Sequence, residues 1–245
     1  MPSYLNPLVV TSLAALIATT LVAIAFSDRL DRGARLNTVL ALGGLYALWL
    51  PVMIWLAMND VFAVAAATLT PVLPLAIIGP PLTLLAALAA SPALRRIANG
   101  LSQEWLIGIQ TLRVMGGVFV LLLADGAIPW EFALPAGFGD VAVGLLAMFT
   151  LSRLRSGAAS ARAWVRRTNI AGLTDFAIAV ATGLLSAPGV AQLLAVDRPN
   201  ELINLYPLVL IPVFAVPVFI AAHILSIRQY RARRAETGSG DPALA

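Results

Sequence analysis

The chain has 245 residues, of which 60% are hydrophobic and only 11% charged, and its mean hydropathy is +0.90. A soluble domain carries about 25% charged residues, so the composition excludes an ordinary soluble enzyme, a disordered tail protein and a nucleic-acid binder. The absence of Cys excludes disulfides, zinc ribbons, iron–sulfur clusters and thiol catalysis. All 16 basic residues are Arg, so a lysine Schiff base to a bound aldehyde is excluded too.

A membrane helix needs about 20 mostly apolar residues. Seven stretches satisfy this, at roughly 6–26, 37–58, 70–90, 104–124, 132–151, 168–187 and 202–226. They predict an all-α integral membrane protein, a seven-transmembrane helix bundle forming a single domain over 1–236, with a polar, disordered tail over 237–245. The first stretch resembles a signal peptide in length, but its first Arg follows the apolar run instead of preceding it, the reverse of a signal peptide. The third lies within a long apolar run from Val61 to Ala90, too long for one upright helix at ~1.5 Å rise per residue. Residues 61–69 therefore read as a short interfacial segment, Pro71 and Pro74 as a helix start, and Gly79-Pro80-Pro81 as a kink.

Arg collects in cytoplasmic loops of membrane proteins. With the N-terminus outside and the C-terminus cytoplasmic, 14 of the 16 Arg fall on the inner side: Arg29, Arg32 and Arg35, then Arg95 and Arg96, then five between Arg153 and Arg167, and last Arg228, Arg231, Arg233 and Arg234. The inner segments then carry a net +9, the outer segments −4 and the apolar interior −1, which together make the formal charge of +4. The basic pI of 10.3 is thus a record of topology. Trp55, Trp130 and Tyr206 fall at the outer boundary, and Trp105, Trp164 and Tyr230 at the inner one. The expected setting is a plasma membrane of bacterial inner-membrane type, with the lipid bilayer as partner and no nucleic acid. Homo-oligomerisation is left open.

An ionisable residue at the centre of a membrane helix costs at least ~2.5–3.5 kcal/mol and calls for a partner. Three residues qualify: Arg113, Asp140 and Asp175, on three consecutive spans. Counting ~1.5 Å per residue puts Arg113 about 13 Å and Asp175 about 10 Å from the inner face, and Asp140 about 12 Å from the outer one. All three reach the middle third of a ~30 Å core. Gln110 precedes Arg113 by three residues, and Gly116 and Gly117 follow it; Gly139 and Gly144 flank Asp140; Ala179 and Gly183 continue the face of Asp175. Small residues beside a charge let helix backbones approach closely.

Two readings of this cluster follow. In one, Arg113 neutralises a carboxylate and ties three helices together, as in a membrane scaffold or accessory subunit. In the other, the single Arg leaves one carboxylate in excess, and a dischargeable acid near the midplane moves protons or a small solute. The second is the leading reading, with Arg113, Asp140, Asp175 and Gln110 as relay or substrate-binding groups. His223, the only histidine, sits near the inner end of the last span as a hydrogen-bonded interfacial residue or a cytoplasmic relay. One His and no Cys make no haem or zinc site, so neither cofactor nor metal is expected. Pro207, Pro212 and Pro217 interrupt the last span; such breaks mark substrate sites in some transporters and serve packing in others.

The four residues Gly137-Phe138-Gly139-Asp140 resemble the GxGD signature of intramembrane aspartyl proteases. The resemblance implies that the glycines let backbone pack closely around a catalytic Asp140, with Asp175 as second carboxylate of a dyad that shares a proton. In that family the other Asp precedes GxGD, commonly after Tyr, whereas Asp175 comes later and follows Thr174. The family's Pro-Ala-Leu appears here at 92–94, in a loop before the motif. The protease stands third among the readings. No HExxH, P-loop or GxSxG is present, and no catalytic residue is assigned; the expectation leans away from an enzyme.

Overall fold

A computed structural model describes residues 1–68 and 71–238, and among them there is helix and no strand. The helices are α1 (Leu5–Ala25), α2 (Arg32–Met58), α3 (Val61–Thr68), α4 (Val72–Ala90), α5 (Pro92–Gly100), α6 (Gln103–Ile109), α7 (Gly117–Ala124), α8 (Trp130–Arg155), α9 (Ala161–Ser186) and α10 (Val216–Gly238). A 3₁₀ segment, Gln110–Gly116, joins α6 to α7, and a π-helical turn, Ile211–Ala215, leads into α10. Seven of these units are long and apolar enough to cross a membrane: α1, α2, α4, α6 through α7, α8, α9, and Ile211–Arg231.

Local sequence explains most boundaries. Asp31 caps α2 by accepting from the Ala34 N–H at 2.8 Å. Ser91 caps α5 by accepting from the Leu94 N–H, with Pro92 at the first helical position. Pro92-Ala93-Leu94 is therefore helical, not a loop as the apolar-run reading has it. Arg95 folds back onto the carbonyls of Leu88 and Ala89 at 2.9 and 2.8 Å, capping the end of α4. Residues 61–68 form the short helix expected ahead of the third span, and α4 continues through Pro80 and Pro81. The predicted tail from 237 falls mostly outside the described residues, since α10 is followed to Gly238.

The last span departs from expectation. Residues 202–210 are not one helix: a 3₁₀ turn at Leu202–Asn204 gives way to turns before Ile211. Pro207 lacks the N–H that a helix would use there, and Pro212 and Pro217 shift the regular ladder to the start of α10. The whole last helix is displaced toward the C-terminus, which moves His223 well inside it.

Both ends of the bundle are pinned. At the end bearing the N-terminus, Tyr4 donates to Asp125, and Tyr206 donates to Asn6 Oδ1 at 3.0 Å. Loss of hydration and the Asp125 carboxylate push the Tyr4 hydroxyl up to about 12. At the Arg-rich end, Ser27 donates to Gly100 O at 2.6 Å, and Gln229 to Ala98 O and Leu101 O at 2.6 and 2.7 Å. The stretch 208–223 is the most continuously buried part of the chain, and Phe214 packs against Tyr46 and Trp49. By contrast α2 buries only Tyr46 and Ala57 and exposes a leucine-rich face, as suits a helix facing lipid. The heaviest packing is of α8 on α9 and on the 3₁₀ segment, and it is there that the charges meet.

Candidate functional site

The 3₁₀ segment sets the site's geometry. Residues three apart eclipse in a 3₁₀ helix, so Gln110, Arg113 and Gly116 stack on one face, and all three are buried. Arg113 is 1% exposed. Its Nε donates to Asp140 Oδ1 at 2.8 Å, its Nη2 to Asp175 Oδ2, and its Nη1 to Gly172 O at 3.1 Å. Each nitrogen of the guanidinium is thereby engaged, with two carboxylates and a carbonyl from two other helices. The Phe176 ring lies beneath, 3.7 Å from Cζ to centroid, and cation–π attraction adds to the ion pairs. With both carboxylates ionised the group carries one negative charge more than positive.

Glycine makes these approaches possible. A β-carbon at Gly116 would collide with Asp140, one at Gly139 with Asp175, and one at Gly172 with His223 and with Arg113 Nη1, 2.9 Å away. Successive spans therefore interlock: the 3₁₀ segment receives Asp140 from α8, α8 receives Asp175 from α9, and α9 receives His223 from α10. Gly144 serves a different contact: a β-carbon there would come within 2.9 Å of the Val114 backbone nitrogen and 2.8 Å of its side chain. A β-carbon at Gly117 would meet Val141 at an ordinary distance, and one at Gly183 would meet Phe132 slightly tightly. Ala179 and Gly183 line a cavity that reaches Asp140.

His223 adjoins this cluster. It is fully buried, and the edge of its ring meets Phe176. Its Nδ1 pairs with Asn169 Oδ1 at 2.8 Å; Asn169 Nδ2 donates to Ser226 Oγ at 2.8 Å; Ser226 Oγ donates to Gln103 Oε1 at 2.7 Å; and Gln103 Nε2 donates to Ser226 O at 2.8 Å. Since the Asn169 oxygen only accepts, this chain makes Nδ1 the protonated nitrogen and leaves Nε2 as a lone pair. Among the described residues Nε2 has no hydrogen-bond partner, and neither has Gln110 Oε1, whose amide nitrogen donates to Phe219 O at 3.1 Å. Gln110 thus braces α10 and does not touch the carboxylates by any hydrogen bond in the structure.

Asn169, Gly172, Phe176, Ser226 and Gln103 carry no charge or motif that marks them in the sequence. The spacing 169, 172, 175, 176 marks one face of α9, a signal that charge counting passes over.

Among the described residues, no group of His, Asp and Glu is arranged to hold a metal. Asp140 and Asp175 each commit an oxygen to Arg113 and not to one another, whereas an aspartyl dyad needs the two acids to share a proton. That arrangement does not favour the protease reading.

Residues 70–231 match the family described as "Domain of unknown function (DUF8737)". The chain belongs to this family. No curated protein and no solved structure matches it. The DUF8737 segment begins just before α4 and contains every residue of the charge cluster and of the His223 chain, while α1 and α2 precede it.

Proposed function

We propose that this DUF8737 protein is a multi-pass membrane protein that moves protons or a small solute through the polar core of Arg113, Asp140, Asp175 and Gln110. The observation that carries the reading is that the two carboxylates sharing one guanidinium border separate spaces. Asp140 lines a cavity of about 70 Å³ whose walls include Phe132, Gly183 and Asn204, toward the end bearing the N-terminus. Asp175 instead reaches a shallow, open patch on the outer surface of α9, formed with Arg167, Ile170, Ala171, Thr174 and Ile178 and lying toward the Arg-rich end. One negative charge in excess gives the cluster a place to accept a proton or cation. Discharging either carboxylate leaves Arg113 paired with the other, so the load passes without stranding a buried charge.

The Arg distribution supports an outside N-terminus and a cytoplasmic C-terminus, in a plasma membrane of bacterial inner-membrane type. In that orientation the cavity belongs to the outer half of the bundle and the α9 patch to the inner half. The full engagement of all three Arg113 nitrogens supports a second reading, a scaffold or accessory subunit in which the cluster only ties helices together.

The absence of Cys permits a direct test. Single variants Ala179→Cys in the cavity and Ala171→Cys on the α9 patch are treated, in oriented vesicles, with a membrane-impermeant thiol reagent. The carrier reading expects Ala179→Cys to react from the N-terminal side and Ala171→Cys from the opposite side. Reaction of both from one side, or of neither, contradicts it.

A further inference from the structure

The cavity at Asp140 also bears on what is carried, and this step rests on the carrier reading above. Its lining is nearly all apolar: three phenyl rings, Phe119, Phe132 and Phe176, with aliphatic side chains, and only Asp140 and Asn204 as polar residues. Arg113 is not among the lining residues, nor is any other cation. A solute entering from this side therefore meets a carboxylate and aromatic rings before it meets the guanidinium. Phe119 and Phe132 stand edge to face, with centroids 5.1 Å apart, and Phe176 already supports one cation, the guanidinium of Arg113, on its face. A cation desolvated against phenyl rings and a carboxylate is held by the ring quadrupoles and by the ion pair together. An anion in the same place would be repelled by the excess negative charge and would find no cationic donor.

Size narrows the class. The cavity's 70 Å³ is several times the roughly 10–15 Å³ that one water requires, yet small for a drug-sized ligand, whose pockets run to about 300–1,000 Å³. The apolar walls offer nothing to a hydrated inorganic ion, which would have to shed its shell against phenyl and aliphatic groups. They suit a cation that carries its own methyl groups. The geometry points to a binding site for a small alkylammonium ion, its N–H directed at Asp140 and its methyl groups among Phe119, Phe132, Phe176 and Ala179.

The probe is dimethylammonium, titrated calorimetrically into the full chain in detergent micelles, with 2-propanol as a neutral molecule of similar size. Dimethylammonium is expected to bind and 2-propanol not. Asp140→Asn should weaken the binding by about tenfold or more, the loss of one charge-assisted hydrogen bond. Ala179→Leu, which fills the cavity and keeps every charge, should abolish it while the protein still melts cooperatively. Equal binding of 2-propanol, or undiminished dimethylammonium binding in both variants, overturns the site. No dimethylammonium binding by the wild type, together with proton flux that depends on Asp140, overturns the alkylammonium site and leaves the carrier reading standing. Loss of both binding and flux removes the two together.

Discussion

Asp175 on α9 lies against Gly139 on α8 so closely that a β-carbon at residue 139 would occupy the place of its carboxylate oxygen. The glycine of the GxGD sequence thus has a steric role independent of proteolysis: it admits the acid of the neighbouring helix to Arg113. The same device recurs at Gly116 for Asp140 and at Gly172 for His223, so one glycine per span clears the way for the polar side chain of the next.

Gly139→Ala is therefore expected to push Asp175 off the guanidinium and to destabilise the protein by about 1–3 kcal/mol, the usual cost of overpacking. Thermal melting in detergent measures this. Gly43→Ala is the control, because a β-carbon there meets nothing within 4 Å; its melting temperature should match the wild type. Equal melting of the two variants would contradict the steric role.

Arg113→Met leaves two carboxylates in the core without their cation, and breaking a buried pair in this way costs about 3–5 kcal/mol. Adding Asp175→Asn or Asp140→Asn to Arg113→Met should recover part of that loss, since each removes a stranded charge. A double-mutant cycle by chemical or thermal denaturation reads the coupling. Strict additivity would mean that the ion pairs at Asp140 and Asp175 contribute nothing.

Much of this architecture is legible in the sequence, for a physical reason. Lipid imposes long apolar runs, and the cost of a buried charge makes Arg113, Asp140 and Asp175 stand out. Depth arithmetic along three antiparallel helices is enough to bring them together. Uncharged polar residues carry no such mark: Asn169, Ser226 and Gln103 read as ordinary residues of apolar helices until the His223 chain joins them. The 3₁₀ turn is hidden because the spacing of Gln110, Arg113 and Gly116 fits an α-helix almost as well. The apolar run at 202–226 looks like one helix and so puts His223 near its end; only its prolines signal that the helix proper starts at Val216 and extends to Gly238.

That chain can be tested without any assay of transport. Asn169→Ala removes the acceptor that fixes the Nδ1–H form of His223 and leaves a buried donor unpaired, at a cost of about 1–3 kcal/mol. Imidazole ¹⁵N spectra should change from a single Nδ1-protonated tautomer in the wild type to the other form or a mixture. Persistence of the Nδ1–H tautomer in the variant would contradict the assignment.

In the proposed carrier the excess carboxylate of the Arg113 cluster carries the moving charge. Proton flux into proteoliposomes, with wild type, Asp140→Asn and Asp175→Asn compared at equal reconstitution, tests it most directly. Flux is expected in the wild type and its loss in each variant, while both variants still fold and insert. Unchanged flux in both would contradict it and leave the cluster a purely structural tie.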